Sequence, residues 1–311
     1  MTLDNASSSD VSVDMLRTQL NIKKALVCQG DLFHLRCCAH VLNLIIQDSL
    51  KEIDGVVQKI RECIKYVKGS QGRKVKFFDS IKQMSLDGKK GLRQDVPTRW
   101  NSTFLMLESA IFYRHAFHHL ELIDSNFKHC PIAVEWDKVE KISTFFAVFY
   151  DTACVFSGTK YPTANLYFPS VFMVYLTLKQ GNESEDEYMR RMVKQMLVKF
   201  EKYWSEFSVV LTIAVILDPH YKLRFVDFCY QKLYGVSGAY EYLKVHEKLF
   251  ALFGEYVSNV PTPSSTTSNK RGKVIQDLQF KFFSKETMFV MKVCYSFYVV
   301  NYLIFYYVYL V

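Results

Sequence analysis

The sequence predicts a mainly α fold, and three observations carry the prediction. The 311 residues include only seven Pro and 12 Gly, too little punctuation for an architecture of many strands and turns. Half of the residues are hydrophobic, enough to bury a sizeable core in one or two domains. Apolar positions recur at spacings of three and four over long stretches, the period of a helix with one buried face.

Taken in order, TLDNASSSDVSVDMLRTQL reads as a strand end closing on Asp4, a polar turn, and a helix carrying Val11, Met15 and Leu16, with Ser8 or Ser9 as its cap. FHLRCCAHVLNLIIQDSL is β-leaning in its first half and helical in its second. From there, Leu50, Ile53, Val57, Ile60, Ile64 and Val67 form one stripe, which predicts a helix of about five turns. Lys51, Lys59, Arg61, Lys65 and Lys68 fall elsewhere on its surface. GSQGRKVKFFDSIKQMSLDGKKGLRQDVPTRW, with its Gly, Pro and cations, reads as a loop with short helical pieces. Helical spacing resumes in NSTFLMLESAIFYRHAFHHLELI, where Ser102 is the candidate cap. In EWDKVEKISTFFAVFYDTACVF, the residues Trp136, Val139, Ile142, Phe146 and Phe149 share a face. Two more helices are expected at 185–207 and 240–258. SNVPTPSSTTSNKRGK, 259–274, has the composition of a linker, because it offers nothing to bury and much to solvate.

The formal charge is +8, and it is concentrated. Residues 51–100 hold 13 Lys and Arg against six Asp and Glu, an excess of seven, whereas the remaining 26 basic and 25 acidic residues nearly balance. Such a zone attracts phosphates or an anionic surface. From charge alone, a solvated lysine-rich face is an equal reading. The eight Cys form no CxxC pair, and no secretory signal opens the chain. A reducing compartment, cytosol or nucleus, is therefore expected in place of a disulfide framework.

VCYSFYVVNYLIFYYVYLV, residues 293–311, is uncharged and close to the length of a bilayer span. Its Tyr residues are spread through the run instead of flanking it, so membrane attachment is not expected.

Several short motifs are candidates for chemistry. A strand-end carboxylate such as Asp4 suits a hard divalent cation, but an Asp-Asn pair on its own is more often a turn. Cys37, Cys38 and His40, with His34 and Cys28 upstream, are zinc-type ligands that lack a second half. His115 and His119 lie one helical turn apart without a matching carboxylate and are read as structural. Arg99 and Trp100 would let a cation meet phosphate while the indole stacks on a base; the competing reading is a helix-entry packing pair. The basic residues Arg73, Lys74, Lys76, Lys89, Lys90 and Arg93 complete the candidate DNA-contacting set. No nucleophile elbow, phosphate-binding glycine loop or dinucleotide fingerprint is present.

Individually weak, these motifs are distinctive in order: LDNASSSD, RCCAHVLNLIIQDSL, VPTRWNSTFLMLE, KISTFFAVFYDTACVFSGTKYPTANLYFPSV and AVILDPHYKLRFVDFC. Over roughly residues 2–258 the chain resembles plant hAT-type transposases of the Ricesleeper-like, zinc finger BED domain-containing group. The resemblance implies a helical insertion domain attached to a ribonuclease H-like α/β core, with catalysis by two Asp and one Glu on divalent metal such as Mg²⁺. On that match, Asp4 corresponds to the second Asp. Cys37 and His40 correspond to a Cys-x-x-His element, and Arg99 with Trp100 to an Arg-Trp element near DNA.

No stretch ahead of Asp4 matches the BED finger or the first Asp, and none after residue 274 matches the dimerisation region with the Glu, so a segment truncated at both ends is expected. The organisation expected from this is an incomplete ribonuclease H-like remnant at 1–50, poorly stable by itself, then a basic helix and loop at 51–99. A helical domain at 100–258, the linker and an aromatic tail at 275–311 follow. One Asp cannot hold a two-metal site, so the expectation is a non-catalytic, nuclear chain without cofactor that makes weak contact with DNA and does not homodimerise. A helical protein-interaction module that binds no nucleic acid is the competing expectation.

Overall fold

The computed structural model describes residues 1–3, 7–158, 164–204 and 209–259. It is built almost entirely of helices, in agreement with the mainly α expectation. Near the amino terminus, strand β1 (Thr2–Leu3) pairs in parallel with β2 (Leu35–Arg36) across the connecting helix α1 (Ser7–Ile22). The ladder is two residues long, with Leu35 N–H donating to Met1 O at 2.8 Å and Cys37 N–H to Leu3 O at 2.7 Å. α1 begins at Ser7, so Ser8 and Ser9 lie in its first turn and not at the cap position. β1 stops just before Asp4, which itself lies outside the described residues, as do the linker and the aromatic tail.

Helix α2 (Cys38–Lys51) follows, then α3 (Asp54–Lys68). The stripe read as one helix is therefore divided. Leu50 belongs to α2, and the break at Glu52 and Ile53 leaves Ile53, Val57, Ile60, Ile64 and Val67 all buried along the α3 side. Between 69 and 99, the expected loop contains a full helix, α4 (Gln71–Gln83). Ser70 caps it, its hydroxyl accepting from Arg73 N–H at 3.2 Å. Only Phe77, Ser80 and Ile81 of α4 are buried, a stripe too narrow among its cations for the helical period to show in the sequence.

Helices α5 (Trp100–Phe112), α6 (Arg114–Ile123) and α7 (Ala133–Phe156) build the first half of the core. All five aligned residues of α7, Trp136, Val139, Ile142, Phe146 and Phe149, are buried as the spacing predicts. Aromatic rings knit these helices together: Phe117 lies against Phe77, Phe127 and Trp136.

The second half comprises α8 (Ala164–Asn182), α9 (Glu187–Trp204), α10 (Val209–Leu217), α11 (Lys222–Tyr234) and α12 (Gly238–Asn259). α9 and α12 sit where the spacing places helices. α8 and α10 carry no clean amphipathic stripe because they are central. α8 packs against α7, α9 and α10, and a helix surrounded on several sides is apolar around most of its circumference. α2 bridges the halves by packing on α9, α7 and α5. One continuous hydrophobic cluster runs from Val41 to Val245. None of the helices is long and apolar enough to cross a membrane, among the described residues.

Candidate nucleic-acid interface

The basic zone folds into α3, α4 and the segment 84–99 that returns the chain to α5, and its cations divide into two sets. The first set is used internally. Arg61, on α3, donates from Nε and Nη2 to the Asp95 carboxylate at 3.0 and 2.8 Å, and Thr103 Oγ1 donates to the same group at 2.9 Å. The Asp95 side chain is almost fully buried, and the planar guanidinium fork satisfies it from one side. Lys59 donates to Glu135 at 2.6 Å, joining α3 to the start of α7.

Lys76 donates to Asp124 at 3.0 Å, and Tyr66 Oη donates to the same carboxylate at 3.1 Å. The Lys76 hydrogen bond is the main influence holding the Asp124 carboxyl below its usual range. The Asn126 N–H and Tyr66 hydroxyl add to it against the opposing effect of burial.

Segment 84–99 has no regular secondary structure yet is fastened along its length. Tyr113 Oη lies within hydrogen-bond reach of the carbonyls of Asp87 and Lys90, which share its single proton. Arg93 N–H donates to Ser109 Oγ at 3.1 Å, and Val96 N–H donates to Ser102 Oγ at 2.8 Å. Ser102 was the candidate cap of its helix; it sits instead inside the first turn, where its hydroxyl clasps the incoming segment, and Arg99 occupies the cap position. These anchors and the Arg61–Asp95 pair fix where the segment presents its cations.

The second set of cations projects outward. Lys89, Lys90, Arg93 and Arg99 are exposed and Lys74 is half-exposed. No carboxylate pairs with any of these five among the described residues. Lys68, Lys74 and Lys90 meet around a cleft of about 190 Å³. Its lining includes Phe77, Phe78, Ile81, Leu92 and Tyr113, together with Gly88 and Gly91. Phe78 remains 52% exposed there. Lys90 also lies over the Phe112 ring, 4.8 Å from its centroid. The result is an apolar floor with a cationic rim, a pairing suited to a ligand with a flat apolar part and anionic links.

Three of the residues expected at a DNA contact are placed differently. Trp100 is 4% exposed and packs edge-on against Phe146, so its indole belongs to the core and cannot stack on a base. Lys76 already balances Asp124. Arg73 lies over the Tyr66 ring, 4.0 Å from its centroid, bracing α4 on α3. Conversely Lys68, seen in the sequence only as part of a helix surface, joins the cleft because α3 and α4 pack side by side.

The other motifs are structural where they are described. Cys37 is the residue before α2, and the Cys38 thiol is pushed up to about 12 by burial. His40 is half-buried, and these residues form no metal-ligating group of three among the described residues. His115 is exposed, while His119 Nδ1 lies 3.0 Å from Ser80 Oγ, so the two do not act together.

In LDPHY, Asp218 accepts from Asn165 Nδ2 at 2.7 Å and from His220 N–H at 2.9 Å, tying the start of α8 to the turn between α10 and α11. Burial pushes the Asp218 carboxyl up, but the Asn165 and His220 hydrogen bonds outweigh it and leave the group below its usual range. These two positions carry family motifs, yet neither was singled out from the sequence.

Comparison with known proteins explains the order of the motifs. Residues 35–145 match the ZBED1 RNase-like helical domain, and residues 165–256 match the hAT-like transposase, RNase-H fold. The chain belongs to the hAT transposase-like family. Zinc finger BED domain-containing protein RICESLEEPER 2 of Oryza sativa subsp. japonica is 39% identical over 274 residues, covering 88% of this chain and 38% of the relative. The Putative AC transposase of Zea mays is 33% identical over 283 residues, covering 89% and 35%. Zinc finger BED domain-containing protein DAYSLEEPER of Arabidopsis thaliana is 30% identical over 264 residues, covering 85% and 38%. The hAT-like chain thus spans under two fifths of the length of these curated relatives.

The helical match takes in α2 through the front of α7 and so contains the whole basic zone. The RNase-H-fold match takes in α8 to α12, with Asn165 and Asp218 inside it.

Proposed function

We propose that this hAT-like chain contacts DNA through the face formed by α3, α4 and residues 84–99, acts in the nucleus, and does not itself cut or join DNA strands. The observation that carries the reading is the apolar cleft rimmed by Lys68, Lys74 and Lys90, set among further cations without acidic partners. Phosphate neutralisation releases counterions, and a rim of fixed, unpaired cations supplies it without first breaking internal ion pairs. The exposed Phe78 ring offers a stacking surface of the kind the buried Trp100 cannot.

The non-catalytic part of the reading rests on the carboxylates. Strand transfer on two metal ions needs several acidic groups converging on one place. Motif order assigns only Asp4 to that set in this chain. Among the described residues no three carboxylates approach one another closely enough to share an ion.

The test is duplex DNA binding by the full chain as a function of salt. Log affinity is expected to fall with log salt with a slope near 0.9 per neutralised phosphate, and changing Lys68, Lys74 and Lys90 together to Glu should reduce that slope by about 2 to 3. An affinity insensitive to salt, or unchanged in the triple variant, overturns the proposal. A folded chain that binds no DNA at low salt points instead to a helical protein-interaction module.

A further inference from the structure

We propose that His118, Glu121 and Cys130 form a binding site for a zinc-type transition metal ion, outside the basic face. His118 and Glu121 lie three residues apart on α6, so their side chains leave the helix on the same side. Cys130 comes from the segment that links α6 to α7. Their ligand atoms all lie within 4.8 Å of one another, with His118 Nδ1 3.6 Å from Cys130 Sγ and 4.0 Å from Glu121 Oε2. Bonds of about 2.1 Å to nitrogen and 2.3 Å to sulfur at a tetrahedral angle place those two atoms about 3.6 Å apart. Nitrogen and sulfur therefore already stand at zinc spacing, and Glu121 needs only a small side-chain movement to join them.

The surroundings point the same way. Trp136 is 3% exposed, and its buried indole N–H has no partner other than the nearby Cys130 sulfur, where a buried N–H supports a metal-bound thiolate from outside the ligand shell. Metal binding would replace the thiol proton, which leaves to solvent as the sulfur–metal bond forms.

The segment bearing Cys130 is held in place from both sides. Cys63 Sγ donates to His129 O at 3.1 Å, and Phe127 packs on Tyr66 and Phe117. A thiolate, a carboxylate and a neutral imidazole balance a divalent charge, and the soft sulfur favours zinc over magnesium or calcium. The His118 and Glu121 side chains are 42% and 45% exposed, so the fourth position faces solvent and takes water. The site would clamp α6 to the start of α7.

Cobalt(II) reports this chemistry through its spectrum. Titrated into the reduced, chelator-treated full chain, one equivalent should give thiolate-to-cobalt charge transfer and the strong visible bands of a tetrahedral ion, both displaced by zinc. Cys130→Ser should abolish the charge-transfer band, whereas Cys37→Ser should keep it. His118→Gln and Glu121→Gln alter partly exposed side chains, should fold normally by circular dichroism, and should weaken binding about tenfold or more. Absence of the charge-transfer band in the folded wild-type chain overturns the proposal. So does its persistence in Cys130→Ser, or full affinity in both glutamine variants.

Discussion

Within one basic stretch, two kinds of cation stand side by side. Arg61, Lys59 and Lys76 end on the shielded carboxylates of Asp95, Glu135 and Asp124; Lys74, Lys89, Lys90, Arg93 and Arg99 meet no carboxylate among the described residues. The inner row organises the fold, because each pair joins elements distant in sequence and leaves a desolvated carboxylate behind if its cation is removed. The outer rim costs the fold little and keeps its charge available. An excess of seven basic residues in 51–100 therefore overstates the free charge: Lys59 and Lys76 are matched by carboxylates outside that stretch, and Arg73 is laid over Tyr66.

The sharpest contrast is between neighbours. Trp100→Ala is expected to cost about 3 to 5 kcal/mol in chemical denaturation, the usual range for emptying a large aromatic site in a core. Arg99→Ala, one residue away and exposed, should change stability by no more than about 0.5 kcal/mol. If Trp100→Ala instead leaves stability intact and lowers DNA affinity, the placement of its indole in the core is wrong.

Arg61→Ala comes next, at about 2 to 3 kcal/mol, below the roughly 3 to 5 kcal/mol of a fully buried pair because its side chain is 21% exposed. A double-mutant cycle with Asp95→Asn should show strong coupling; additive effects would mean that the pair does not hold segment 84–99.

A smaller effect appears with pH. The folded Asp124 carboxyl lies below its unfolded value of about 3.9. The stability it contributes is then complete above that value and lost as pH falls through the folded one. Thermal unfolding should accordingly show a steeper acid decline in wild type than in Asp124→Asn or Lys76→Met. Equal acid slopes would remove Asp124 from the inner row.

The smallest stability effect belongs to the rim. Lys68, Lys74 and Lys90 changed together to Glu should shift unfolding by about 0.5 kcal/mol or less per site, while the same variant loses salt-dependent DNA binding. A large stability loss would make the outer cations structural too, and the division into two rows would fail.

Much of this was legible in one dimension. The buried stripe from Ile53 to Val67 and the aligned face of α7 follow directly from spacing, because an amphipathic helix writes its burial into a period of 3.6. The order of the motifs pointed to the family before any contact was known. The same reading lost α8 and α10, whose apolar residues surround the axis, α11, and α4, whose narrow stripe hides among lysines. At the candidate sites, residue type alone suggested that Arg99 and Trp100 act together, although Trp100 is in the core and Arg99 is exposed. It weighed His115 with His119, whereas the group that converges is His118, Glu121 and Cys130, whose only trace in the sequence is a three-residue spacing followed nine residues later by a cysteine.

By itself, then, the sequence determined that the fold is mainly helical, where positive charge accumulates and which lineage the chain comes from, because period, composition and motif order are local or additive properties. The tertiary structure alone decided which cations remain free, which aromatic ring is exposed, and which histidine meets a thiol. Those outcomes depend on which surfaces of α3, α4, α6 and α7 come together, and a linear pattern does not contain that packing.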